Sequence, residues 1–284
     1  MSNFLLGGSA VLEGVMIFSP YCYAVACRKG EEVVVYKESF PSLSPLPQIN
    51  FLSRLPFLRG ILAFFISLAM SLRAYSISKK LSSSEDVQNV SIDKGSLLKL
   101  FLNLVLVFAF LLLLPDLISR FFRSSFLLAS LFETAVRILF LILYILLFSL
   151  FHSGKRLLQY HGAEHKVING FEDGAELTPE GLQSYPTIHM RCGTTLFALV
   201  LLLLFFLYLP LQGLAFPLSL FCKTLFFPFA LPIAFELIYL ALRDERFYFL
   251  LVPGLLLQRI TTKQPDKEQI EVAIAALKEV VGIA

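Results

Sequence analysis

The chain has no tryptophan, few charged residues and only four histidines, and each scarcity narrows what it can be. Charged residues make up 16% of the 284 positions, against roughly 25% in an ordinary globular domain. By contrast 57% are hydrophobic and 29 are phenylalanine, more apolar surface than a small core can bury, so lipid is the natural solvent. The formal net charge of +3 is too small to call for a nucleic-acid partner. The four cysteines show no disulfide framework. Cys22 and Cys27 are five apart, which on a strand aims them at opposite faces and agrees with a reducing compartment. Residues 1–10 lack the basic start and long apolar core of a secretory signal. No Walker loop, G-x-G-x-x-G, heptad array or internal repeat occurs, which removes P-loop, dinucleotide and solenoid readings.

What is present is a set of long apolar runs. Four are suited to crossing a bilayer, at 100–118, 136–151, 194–211 and 224–242. The second reaches full length if its helix starts at Phe126, which brings in Glu133 and Arg137 at i,i+4 spacing, where each neutralises the other. The run 60–72 holds 13 uncharged residues between Arg59 and Arg73, too few for a hydrocarbon core of about 30 Å, and reads as an interfacial or packed helix anchored by its arginines. The run 247–257 is broken by Pro253-Gly254 and belongs at the membrane surface. With four crossings, 20 of the 24 lysines and arginines fall on one side, so the positive-inside rule predicts cytoplasmic termini.

The fold class is therefore a polytopic α-helical membrane protein of about four transmembrane helices, with a small N-terminal β-containing cytoplasmic unit and a C-terminal amphipathic helix. Residues 1–50 form the β-unit, with strands at 21–28 and 32–38 around a Lys29-Gly30 turn and a proline-rich stretch at 41–47. Residues 51–99 hold the short apolar helix and a serine-rich polar loop at 81–95, and 100–242 the four-helix domain with a loop at 152–193. Within that loop 155–169 suits an amphipathic helix closed by Gly170, and Thr178-Pro179-Glu180 reads as a helix start. The remaining 243–284 carry the interfacial segment and a helix capped at Asp266, with Ile270, Ala273, Ile274 and Leu277 as its apolar stripe.

Chemistry concentrates in that loop. Tyr160 to Lys166 reads Y-H-G-A-E-H-K. On a helix His161 and His165 share a face and can offer two imidazoles to one cation, with Glu164 flanking the stripe. H-x-x-E-H is the order of the inverted zinc-protease motif, in which the carboxylate activates the attacking water, although paired histidines also occur on ordinary solvated helices. His189 and Cys192, in H-M-R-C-G ahead of the third crossing, fall at the same membrane face and suit zinc, or alternatively cap the helix that follows. Glu236 lies inside the fourth crossing behind Pro228 and Pro232, which would open the helix just ahead of it; it is either a distant ligand or the partner of Arg243. Glu13 sits among glycines in G-G-S-A-V-L-E-G-V-M, where a tight turn is the simpler reading. His152 reads as interfacial and Cys222 as packing.

G-G-S-A-V-L-E-G-V-M, Y-H-G-A-E-H-K, H-M-R-C-G-T and P-G-L-L-L-Q-R-I-T-T followed by D-K-E-Q-I-E-V-A-I-A-A-L appear in this order over nearly the whole chain. Together they resemble the bacterial YqhQ-like family, domain of unknown function 1385, labelled as predicted metal-dependent membrane enzymes. The resemblance implies a bacterial inner-membrane protein with a metal site, and by motif match His161, Glu164, His165, His189, Arg191, Cys192 and Glu13 fall on the family's recurring polar positions. The chain departs from the pattern at Met190, where the family reads proline, and at Ile17-Phe18, where it reads Met-Arg; the lost arginine argues against an anionic-ligand role for the first motif.

Two functions are open at this point. One is a metal-dependent hydrolase at the cytoplasmic face: His161, His165, His189 and Cys192 hold a divalent ion, zinc by donor type, Glu164 is the general base, and Glu13, Arg191 and Glu236 are additional candidates. The other is a non-catalytic scaffold or assembly factor whose four ligands close a structural site; transport, motivated by Glu236 and its prolines, is weaker. Membrane lipids are the expected surroundings, with a homo-oligomer or a membrane-protein partner left open.

Overall fold

The computed structural model describes residues 6–39, 55–83, 109–122 and 125–283, together with 95, 98, 102, 105 and 106. The proline-rich stretch at 41–47 and most of the polar loop at 81–95 lie outside these residues; 13 of the 19 residues of the first expected crossing at 100–118 are described, and they carry only a shorter apolar helix at Ala109–Ser119.

Four antiparallel strands form a meander in the order β1 (Gly7–Val11), β2 (Gly14–Phe18), β3 (Cys22–Lys29) and β4 (Glu32–Ser39). The third hairpin, β3–β4, matches the sequence reading around Lys29-Gly30. The first hairpin turns on Leu12 and Glu13, with Glu13 at φ 50, so the glycine-flanked acid is the turn its residues implied. Both faces of the sheet are covered. Val15, Ile17, Ala24 and Ala26 pack against the helices α4 (His152–Glu172) and α9 (Lys267–Val281). Val11, Met16 and Val25 pack against Ala74, Ile77 and Leu81 of α1 (Leu58–Ser83). Cys22 and Cys27 accordingly fall on opposite faces, and both are free.

Between α1 and α4 come a π-helical turn at Ala109–Leu113, the short helix α2 (Leu114–Ser119) and α3 (Phe126–Leu150). After α4 follow α5 (Pro179–Leu182), capped by the Thr178 hydroxyl, α6 (Gly193–Tyr208), α7 (Phe216–Arg243) and α8 (Val252–Thr261). The C-terminal helix has the capping box Asp266/Gln269, and its stripe Ile270, Ala273, Ile274 and Leu277 is buried.

Among the described residues four helices are long and apolar enough to cross a membrane: Leu58–Ser82, Phe126–Leu150, Gly193–Leu211 and Phe216–Arg243. Three answer to expected crossings, and each begins earlier than its apolar run. α7 runs unbroken through Pro228 and Pro232, so the prolines do not open the helix as the sequence reading had it. The fourth is α1, twice the length of the 13-residue run between its arginines. Its last third is committed to the sheet through Ala74, Ile77 and Leu81, which leaves about 15 residues, or about 22 Å, for lipid. That is short of a hydrocarbon core of about 30 Å, although the helix as a whole is long enough, and its first half exposes Phe64, Phe65 and Ile66.

The helical part is packed inside out relative to a water-soluble protein. Leu139, Leu143, Leu147, Phe206, Phe221 and Phe229 are exposed, while Glu133, Arg137 and Lys223 are 0% exposed. Large apolar side chains outside and paired charges inside is the arrangement a lipid solvent selects.

Candidate metal centre

The helix α4 leaves the end of α3 at a sharp bend on Phe151, whose extended backbone serves as its N-cap. Its inner stripe, Tyr160, Ala163 and Val167, is fixed by the sheet, and this orients the neighbouring stripe of His161, His165 and Asn169 toward the start of α6 and the end of α8. Close approach on that side depends on Gly162. A Cβ there would lie 2.1 Å from the Lys263 carbonyl oxygen, and the Lys263 N–H donates to the Leu158 carbonyl at 2.9 Å.

His161, His165 and Cys192 converge, with one donor atom from each lying within 4.8 Å of the others. His161 Nε2 is 3.2 Å from Cys192 Sγ, and the two imidazole centroids are 4.5 Å apart. Donors around a tetrahedral zinc sit about 3.3–3.8 Å from one another, so small side-chain adjustments close the set on one ion. Cys192 is the N-cap of α6. The Thr194 hydroxyl donates to it at 3.2 Å.

The tautomers decide how the residues fit a metal. His161 Nδ1 lies 2.9 Å from the Thr261 carbonyl, His165 Nδ1 2.7 Å from the Thr187 carbonyl, and His189 Nδ1 2.7 Å from Asn169 Oδ1. Asn169 Nδ2 is spent on the carbonyls of Pro186 and Ile188, which fixes Oδ1 as an acceptor. Carbonyl oxygens only accept, so all three Nδ1 atoms carry hydrogen and all three Nε2 atoms present lone pairs. This is the outer arrangement characteristic of metal-bound histidine. His189 Nε2 is buried without a partner, and its ring is 5.8 Å from that of His165. Burial, helped by Arg191 and His165, pulls His189 down to about 3, so it is a neutral donor held in reserve beside the three. The donor set of imidazoles and a thiol, with an orphaned imidazole nitrogen alongside, fits zinc.

The other sequence candidates lie elsewhere. Glu164 points from α4 to the sheet. A Cβ on Gly8 would come within 2.9 Å of its carboxyl carbon, so the glycine of β1 makes room for it. Burial pushes Glu164 up to about 7, the nearby His161 opposing, and its Oε2 has no partner. It is not among the three converging groups. Arg191 pairs with Glu172. Glu13 takes both its oxygens to Arg156 of α4, tying the β1–β2 turn to the site helix. Glu236 accepts from Arg59 and from the Phe57 N–H, while Arg243 stacks on Tyr239, so the expected Glu236–Arg243 partnership is replaced by one with α1. His152 is exposed at the start of α4.

The backbone acceptors at Thr187 and Thr261 carry no sequence signal. Asn169 does, since it stands at i+8 from His161 on one helical stripe. Lys166 was also passed over. It is buried and donates to the carbonyls of Gln183 and Tyr185 at 2.5 Å each, pinning the ligand-bearing loop to α4, and burial holds it below the ordinary lysine range.

Membrane-length apolar helices, a β-sheet docked on one end of them and a His/His/Cys cluster at the junction define a mostly helical protein with helices long and apolar enough to cross a membrane and a candidate metal centre. The chain belongs to the family described as Protein of unknown function (DUF1385), whose model matches residues 55–283 and so includes every residue of the cluster. It is 31% identical over 295 residues to the uncharacterized protein YqhQ of Bacillus subtilis (strain 168), covering 98% of this chain and 92% of that one. No solved structure matches.

Proposed function

We propose that the protein is a zinc-dependent hydrolase of the bacterial inner membrane, with both termini and the site on the cytoplasmic side. The convergence of His161, His165 and Cys192, with both imidazole Nδ1–H groups tied to backbone carbonyls, is the observation that carries this reading. A bound divalent ion would act as a Lewis acid, polarising a substrate oxygen and easing proton loss from water. Three ligands leave a coordination position open, as catalytic sites do. His161 and Cys192 are only partly buried, and a Cβ on the neighbouring Gly193 would meet nothing within 4 Å, so there is room for a substrate beside the sulfur. Glu164, which faces Gly8 of β1 outside the ligand set and is pushed up to about 7 by burial with His161 opposing, would take and return the proton from the edge of the centre. Because Cys192 caps a membrane-length helix, a substrate borne by the lipid bilayer has the shortest approach.

Protein purified in detergent is expected to retain about one zinc per chain by elemental analysis, and His165→Ala or Cys192→Ala to lose it. A metal-free wild type that also fails to take up added zinc would end the proposal. Glu164→Gln is expected to stay folded and loaded while hydrolysis of long-chain nitrophenyl esters in mixed micelles falls about 10²–10⁴-fold.

A second reading rests on His189. With its free Nε2 it can close the set to four ligands, and the centre is then structural. Retention of zinc in Glu164→Gln with no change in any cellular phenotype, and loss of zinc in His189→Ala, would favour that reading.

A further inference from the structure

The proposed function concerns the donor atoms; a different group of residues determines where they stand. The last turn of α8 touches the supports of all three histidines. Gln258, 0% exposed, accepts from the His189 N–H at 2.8 Å through Oε1 and donates to the His189 carbonyl at 2.9 Å through Nε2. The same Nε2 donates to the Thr195 hydroxyl of α6 at 3.0 Å. Three residues on, the Thr261 carbonyl takes His161 Nδ1. The Thr262 hydroxyl lies 3.2 Å from that of Thr187, the residue whose carbonyl takes His165 Nδ1. A buried primary amide that grips both backbone groups of one residue reproduces a strand pairing with a side chain.

We propose that Gln258, with Thr261 and Thr262, is the positioning frame of the metal centre, setting ion affinity and coordination geometry without touching the ion. The inference rests on the zinc reading above. The frame joins three separate pieces of chain, the site helix, the H-M-R-C loop and the start of α6, onto one rigid turn. Loss of one such outer support costs a metal site about 10–100-fold in affinity. The outer face of α8, with Val252, Leu256 and Arg259 exposed, takes no part in the frame and provides an internal control.

The test is zinc affinity by competition with a chromophoric chelator, and the absorption spectrum of the cobalt-loaded protein, in full-length protein in detergent. Gln258→Met keeps the side-chain volume and removes all three hydrogen bonds. It is expected to weaken zinc about 10–100-fold and shift the cobalt bands. Gln258→Glu keeps the acceptor and is expected to recover part of the loss. Thr262→Val, nearly isosteric, is expected to weaken zinc several-fold, whereas Arg259→Ala leaves affinity and spectrum unchanged. Wild-type affinity and spectrum in both Gln258→Met and Thr262→Val would overturn the frame while leaving the centre intact. A wild type that binds neither ion overturns the frame together with the reading beneath it.

Discussion

Replacing Lys223 by methionine is expected to destabilise the protein by about 3–5 kcal/mol, because it leaves two carboxylates facing each other with no cation between them. Lys223 Nζ lies 2.5 Å from Asp116 Oδ1 and 2.9 and 2.8 Å from the two oxygens of Glu133, and all three residues are essentially without solvent contact. Around this centre Arg120 pairs with Asp116 and Arg137 with Glu133, while Ser219 and Gln212 take remaining lone pairs. Arg137 also donates to the Leu111 carbonyl in the π-helical turn and, like Lys223, lies against the Tyr208 ring. Glu133 and Lys223 are each seven residues inside their helices, about 10 Å along the axis, so no water shell replaces a lost partner. The loss is therefore a desolvation penalty on the survivors rather than the value of one ion pair. Adding Asp116→Asn to Lys223→Met removes one of the two facing carboxylates while the buried Glu133–Arg137 pair stays intact, and is expected to recover part of the stability, measured by thermal unfolding in detergent. A single variant as stable as wild type would show that the network contributes nothing.

How much of this was legible beforehand depends on what each feature is made of. The amphipathic helix from Asp266 and the hairpin at Lys29-Gly30 were readable because a cap, a turn residue and a repeat period all sit in one local stretch. The Glu133–Arg137 pair was readable for the same reason, being i,i+4, but its third member was not, since Lys223 lies 90 residues from Glu133 in sequence. The extent of α1 was missed because hydropathy counts only apolar residues. Arg73 ends the apolar run yet not the helix, which continues as a sheet-packing segment through Ala74, Ile77 and Leu81. His161, His165 and Cys192 were named from type and spacing, and the structure brings them together. The side on which Glu164 falls was not readable. At i+3 from His161 it flanks the stripe toward whatever packs there, and that neighbour is β1, whose Gly8 gives no sign in sequence of receiving a carboxyl. Glu236 shows the converse: a partner seven residues on was the local guess, and a distant Arg59 reached it first.

Gly162→Ala is expected to abolish stoichiometric zinc binding at micromolar ion, although alanine favours a helix by up to about 1 kcal/mol over glycine. The new methyl would stand 2.1 Å from the Lys263 carbonyl oxygen and 3.3 Å from Thr187 Cγ2. The first of these is backbone, on a residue whose own N–H is bonded to Leu158, so it cannot swing aside as a side-chain tip can. Overpacking of this kind costs about 1–3 kcal/mol, which exceeds the gain in helix propensity. Relief comes by moving the 261–263 segment off α4, and that takes the Thr261 carbonyl from His161 Nδ1 and disturbs the contact between Thr262 and Thr187. The centre then loses the support of two imidazoles at once. Gly193→Ala is the matched control, since it adds the same methyl beside Cys192 where nothing lies within 4 Å. It is expected to bind zinc as wild type does, so equal zinc loss in the two variants would show that the effect at Gly162 does not arise from the close contact with Lys263.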